Sequence, residues 1–141
     1  MNSDKVINIK NIIVLISLLG SIVVRIILNT ILRVQSIASI SLFLVGLFTL
    51  PIAAVGIWKK VNPKITMCFL CLSILVIITV MMLTDSNLAN YCIIFYTMFL
   101  AVLYEDIRAI IIVGCGDVIL LLSFYSKCIK GLFDTEKTYH F

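Results

Sequence analysis

Residues Ile65–Leu83 read ITMCFLCLSILVIITVMML, 19 positions without a charge. About 20 mostly apolar residues in a helix cross the ~30 Å hydrocarbon core of a bilayer. This stretch therefore predicts a transmembrane helix. Four similar runs surround it. Toward the N-terminus lie Ile37–Trp58, with Pro51 inside it, and Ile7–Leu32, interrupted by Arg25. Toward the C-terminus lie Leu88–Tyr104, a little short, and Ile107–Tyr125, with Asp117 near its middle. The connections are only a few residues long, so successive helices are expected to be antiparallel neighbours. The predicted fold is all-α: a polytopic membrane bundle of about five transmembrane helices in residues 1–126, followed by a polar tail, 127–141. Ser126–Phe141 carries mixed charge and Gly131 and is expected to be the least ordered part.

Composition points the same way. Hydrophobic residues make up 62% of the chain and charged ones 13%, against roughly 45–50% and about 25% in a soluble domain. The mean hydropathy is +1.21. A soluble fold needs more polar surface than this chain holds, whereas in lipid apolar side chains face outward without penalty. The net charge of +4 does not suggest nucleic acid, because the basic residues sit in short clusters between apolar runs, as topology signals do. A single His argues against a His-based metal site. The five cysteines, Cys68, Cys71, Cys92, Cys115 and Cys128, are scattered and odd in number, which is no secreted disulfide framework. Cys68 and Cys71 form a C-x-x-C inside an apolar run, best read as buried helix thiols.

Lys5 and Lys10 before an apolar stretch resemble a signal peptide. The stretch is long, however, carries Arg25, and is followed by no small-x-small cleavage site. With a cytoplasmic N-terminus, Lys5, Lys10, Lys59, Lys60, Lys64 and Arg108 lie inside, and Arg33, Lys127, Lys130 and Lys137 outside. Trp58 abuts the lysine cluster as an interfacial aromatic does; Tyr104 marks the same face, and Tyr91 and Tyr125 the opposite one. The reading is a multi-pass protein of the cell membrane with its C-terminus outside. Pro51 leaves the Leu47 carbonyl without its helical partner and predicts a kink, with Gly46 easing the bend.

Nothing in the chain reads as an enzyme or calls for a cofactor. It has no nucleophile beside a base, no phosphate loop and no metal motif. Glu105 and Asp106, next to Arg108, read as a solvated turn at a helix start. Two charges lie at membrane depth. Asp117 costs about 2.5–3.5 kcal/mol at a helix centre on insertion scales, so it should face the bundle. Gly114, three residues earlier, should let another helix approach. Arg25 and Asp117 are candidates for proton or ligand sensing, or for an internal pair. The first and fifth helices run the same way, and the two side chains are expected to interact. The alternative is a protonated Asp117 bonded to a neighbouring helix.

Leu88–Tyr125 reads LANYCIIFYTMFLAVLYEDIRAIIIVGCGDVILLLSFY. Asn90 and Tyr91 stand near a helix start, then come an aromatic helix and the turn Leu103, Tyr104, Asp106, Arg108, then a run with Gly114 that ends in Phe124 and Tyr125. With the pair Lys59, Lys60, this pattern resembles the N-terminal membrane region of Gram-positive bacterial methyl-accepting chemotaxis proteins. The resemblance implies a membrane sensor that feeds a cytoplasmic signalling coiled coil. The chain departs from that plan in lacking a last helix and the signalling rod, as a fragment or truncated form would, and Asp117 is not expected in the family. The leading expectation is a non-enzymatic sensory input module. The alternatives are a transporter or channel component that uses Asp117 and Arg25, or an accessory subunit. The expected partners are the lipid bilayer and further copies or a larger receptor complex.

Overall fold

The computed structural model describes residues 3–33, 36–84 and 88–138, with the side chains of 3–33, 36–84 and 93–126. The described residues form five helices: α1 Ser3–Ile31, α2 Ser36–Trp58, α3 Pro63–Thr84, α4 Leu88–Leu103 and α5 Ile107–Thr138. There is no strand among the described residues. The helices α1, α2 and α3, and Ile107–Ser126 of α5, are long and apolar enough to cross a bilayer. Helix α4 is apolar but has 16 residues, about 24 Å at 1.5 Å per residue, which is short of the ~30 Å core.

Local chemistry sets the helix ends. Asn62 caps α3 by accepting the Lys64 N–H at 3.1 Å, and Pro63 takes the first helical position, where a missing N–H costs nothing. Asp106 caps α5, its Oδ1 accepting from the Arg108 N–H at 2.9 Å. Helices α1, α2 and α4 each stop at a left-handed residue: Arg33, Lys60 and Glu105, with φ near 51°. At Lys60 the reversal is complete. The Lys60 N–H bonds to Ile57 O at 3.2 Å and the Val61 N–H to Gly56 O at 3.0 Å, a Schellman pattern built without glycine at its left-handed position.

Helix α3 is the hub. Over half of its spanning window is buried, against about a fifth or less for the other spans, and it packs on all four other helices. The rest form an arc around it in the order α2, α1, α4, α5. Neighbours pack directly at α1–α2 and α4–α5, while α1 and α4 meet through the side-chain hydrogen bonds of Tyr96. The inward stripe of α1 is Ile7, Asn11, Val14, Leu18 and Ile22; that of α2 is Ala38, Leu42, Gly46, Leu50 and Ala53. Both repeat at three or four residues, as one helix face requires. The outer faces stay apolar: Ile16 is 63% exposed, Phe95 78% and Trp58 85%.

The apolar part of α5 spans Ile107–Ser126, in line with the predicted Ile107–Tyr125, and the helix itself continues to Thr138. That segment contains no proline, and Lys, Leu and Glu favour the helix. Gly114 is not where a helix comes closest. Its nearest outside atoms belong to Met98 at 3.9 Å, whereas a Cβ at Gly116 would lie 2.5 Å from Leu75 Cδ1 on α3. At Pro51, α2 runs through as one helix. Gly46 there admits Ile22, whose Cδ1 would lie 3.0 Å from a Cβ at that position, so it serves the α1–α2 contact.

Candidate functional site

The short connections gather the polar groups into two levels. At one end, Lys10 of α1 reaches the α4–α5 turn. Its Nζ donates to Glu105 Oε2 at 2.9 Å and to Tyr104 O at 3.2 Å. One residue on, the buried Asn11 donates from Nδ2 to Pro63 O at 3.0 Å, where α3 starts. These bonds place the start of α1, the α2–α3 turn and the α4–α5 turn at the same end of the bundle. Lys59, Lys60, Lys64 and Arg108 are exposed there. Lys10 holds the Glu105 carboxyl below the usual range by hydrogen bond and charge. Asn11 Oδ1 and the Tyr104 hydroxyl are buried without a hydrogen-bond partner. The turn residues Tyr104, Glu105, Asp106 and Arg108 thus take different roles: a buried ring, an ion pair, a helix cap and an exposed cation.

The second level lies about half-way through the bundle, on α4. Neighbouring residues on a helix point about 100° apart, because 3.6 residues make a turn. Tyr96 and Thr97 therefore serve different partners. Tyr96 faces α1, with its hydroxyl 2.7 Å from Ser21 Oγ and 3.3 Å from Ser17 O. Thr97 faces α5, with its Oγ1 2.8 Å from Asp117 Oδ2 and 2.6 Å from Ile94 O. Asp117 is 3% exposed and Thr97 1%. Asp117 Oδ1 is buried without a hydrogen-bond partner.

Asp117 therefore faces the bundle, as its transfer cost requires, but its partner is Thr97 and not Arg25. One Asp117 oxygen bonds Thr97 and the other bonds nothing. The arc explains why: α1 packs on α2 and α3, and α5 on α3 and α4, so α3 and α4 stand between the two expected partners. Arg25 instead lines a partly enclosed cleft of ≈ 290 Å³ at the α1–α4 seam, with Ser21, Tyr96 and Thr97 among apolar residues that include Ile78 and Leu42. Pro51 borders a second groove of ≈ 550 Å³ between α1 and α2, lined by apolar residues alone.

Sequence reading missed Thr97, Tyr96 and Ser21. A hydroxyl in an apolar helix usually bonds its own preceding turn, as Ser41, Thr49, Ser73, Thr79 and Thr84 do here. The hydroxyls that reach another helix look no different in sequence. Asn90, Tyr91, Cys92 and Cys128 lie outside the described side chains. Cys71 is buried and Cys68 partly so, and no group of three or more His, Cys, Asp or Glu suited to a metal occurs among the described residues. Comparison of the chain with protein-family models, curated proteins and solved structures finds no match.

Proposed function

We propose that this chain is a multi-pass membrane protein with a cytoplasmic N-terminus, working as a non-enzymatic input module whose state is set by what occupies the α1–α4 cleft. Orientation follows from the basic end: Lys10, Lys59, Lys60, Lys64 and Arg108 gather there, and basic residues favour the cytoplasmic side. The extracytoplasmic C-terminus follows from five crossings, with the shorter α4 counted as one.

The cleft carries the functional reading. Small-molecule sites are concave and mostly apolar, with a few placed polar groups. Here Ser21, Arg25, Tyr96 and Thr97 are those groups, and the Ser21–Tyr96 bond is also the mid-depth join between α1 and α4. A ligand that engages either hydroxyl competes with that join. It would thus bind two arrangements of the arc with different affinity, which is what a sensor requires. The resemblance of Leu88–Tyr125 to chemotaxis-receptor membrane regions supports the same class of role, with output passed to a signalling partner.

Phenol and indole are suitable probes, being small, apolar and able to hydrogen-bond. In micelles their saturation-transfer signal should fall severalfold in Ile78→Phe, which fills the cleft, and fall less in Tyr96→Phe. Equal signals in all three proteins would remove the reading. Reporter fusions after Lys64 and after Phe141 test the orientation: active on the cytoplasmic side for the first, translocated for the second.

A further inference from the structure

We propose that Asp117 is a proton-binding site that locks α4 to α5. Thr97 Oγ1 has two close oxygen neighbours, Ile94 O at 2.6 Å and Asp117 Oδ2 at 2.8 Å. A threonine hydroxyl carries one hydrogen. If it goes to Ile94 O, the shorter contact, then Asp117 must supply the second, and only a protonated carboxyl can do so. If Thr97 gives its hydrogen to an ionised Asp117 instead, the 2.6 Å contact with Ile94 O is no longer a hydrogen bond, and that carbonyl keeps only its helical N–H donor. The carboxylate then has one hydrogen bond, and its other oxygen, Oδ1, is buried with none. An ionised group in that setting carries the full desolvation penalty. With a proton on Oδ2 the relay runs Asp117 O–H to Thr97 O–H to Ile94 O, and both contacts are real bonds. The orphan Oδ1 is then the carbonyl oxygen of a neutral acid, which is far cheaper to bury.

No described cation offers a competing explanation. Helix α5 packs on α3 and α4. The titratable groups described on α3 are Lys64, which is exposed at the helix start, and Cys68 and Cys71 soon after it. On α4 and the turn they are Tyr96, which bonds α1, Tyr104, Glu105, which pairs with Lys10, and Asp106, which caps α5. On α5 itself Arg108 is exposed at the helix start and Cys115 is exposed. Arg25 shares the cleft wall with Thr97, but neither Asp117 oxygen bonds it. Thr97 is thus placed between the cleft on one side and the acid on the other. Release of the proton breaks the Oδ2–H bond, leaves its electron pair on Asp117 and passes the proton to water. The relay then has one hydrogen for two bonds, and the anion is drawn toward water, which parts α4 from α5.

The experiment is infrared spectroscopy of the protein in bilayers with carbon-13 aspartate. A protonated-acid carbonyl band should be present at neutral pH, absent in Asp117→Asn and shifted to higher frequency in Thr97→Val. Alkaline titration should bleach it. A Met98→Cys, Gly114→Cys pair across the same seam, in a background lacking the native cysteines, should lose cross-linking yield severalfold over the same range. A band that Asp117→Asn leaves intact, or no such band in the wild type, overturns the site. Bleaching with undiminished cross-linking overturns the lock. If Asp117→Asn does not fold, the Thr97→Val shift still identifies the band's owner.

Discussion

Lys10 and Glu105, 95 positions apart, form an ion pair at 2.9 Å that ties the first helix to the last turn of the bundle. The same lysine also holds the Tyr104 carbonyl, which a helix end leaves without a partner. Glu105 is largely exposed, so the pair adds little stability and instead fixes the register of α1 against the turn. Its pH signature has a definite sign. The Glu105 carboxyl sits below its ordinary value, so its stabilisation is present above the unperturbed Glu value of about 4.3 and fades as pH falls through the lowered one. Glu105→Gln and Lys10→Met should each flatten the acid limb of the thermal melting curve and change neutral-pH stability little. A carbodiimide should couple the two side chains directly, read by mass spectrometry of the digest.

Gly116 lets Leu75 of α3 press directly against the backbone of α5. A Cβ there meets Leu75 Cδ1 at 2.5 Å and Cδ2 at 2.6 Å. Gly116→Ala should lose about 1–3 kcal/mol, the usual range for overpacking. Leu75→Ala in the same chain should recover part of the loss, because it removes the colliding atoms. Gly114→Ala, with ordinary contact distances, should be nearly neutral. Reversible unfolding in mixed micelles separates the three.

Lys60 holds a left-handed conformation at the end of α2, with φ 51°. A residue with a Cβ is disfavoured there by roughly 1–2 kcal/mol relative to glycine. Lys60→Gly keeps both backbone bonds of the turn and should raise stability by about 1 kcal/mol. It also removes one positive charge from the basic end. Melting and orientation reporters should therefore show a more stable protein with an unchanged or slightly weakened inward bias.

Arg25 and Asp117 should behave as independent sites. A double-mutant cycle on Arg25→Gln and Asp117→Asn should give a coupling within about 0.5 kcal/mol of zero. The cycle on Thr97→Val and Asp117→Asn should give a clear coupling, about 1 kcal/mol for one buried hydrogen bond. A large Arg25–Asp117 coupling would contradict the arc of helices around α3.

Sequence alone determined the helices and their class. Uncharged runs near 20 residues have one cheap solution in lipid, a helix that satisfies its own backbone. Short connections with Pro63 and Asp106 left little freedom in where α3 and α5 start, though not in where α5 ends. Sequence also determined that Asp117 faces inward, because lipid penalises any other direction. It could not choose Asp117's partner. Arg25 was the natural electrostatic candidate and Thr97 an ordinary hydroxyl. Which of them it meets depends on α3 taking the centre of the bundle. Hydrophobicity cannot reveal that centre, since Met67 and Leu70 in the core and Ile16 and Phe95 on the outside are equally apolar. In water the solvent would sort such residues inside from outside. In a bilayer, packing shape does so, and close contacts such as Gly116 against Leu75 and Gly46 against Ile22 exist only once the helices have met.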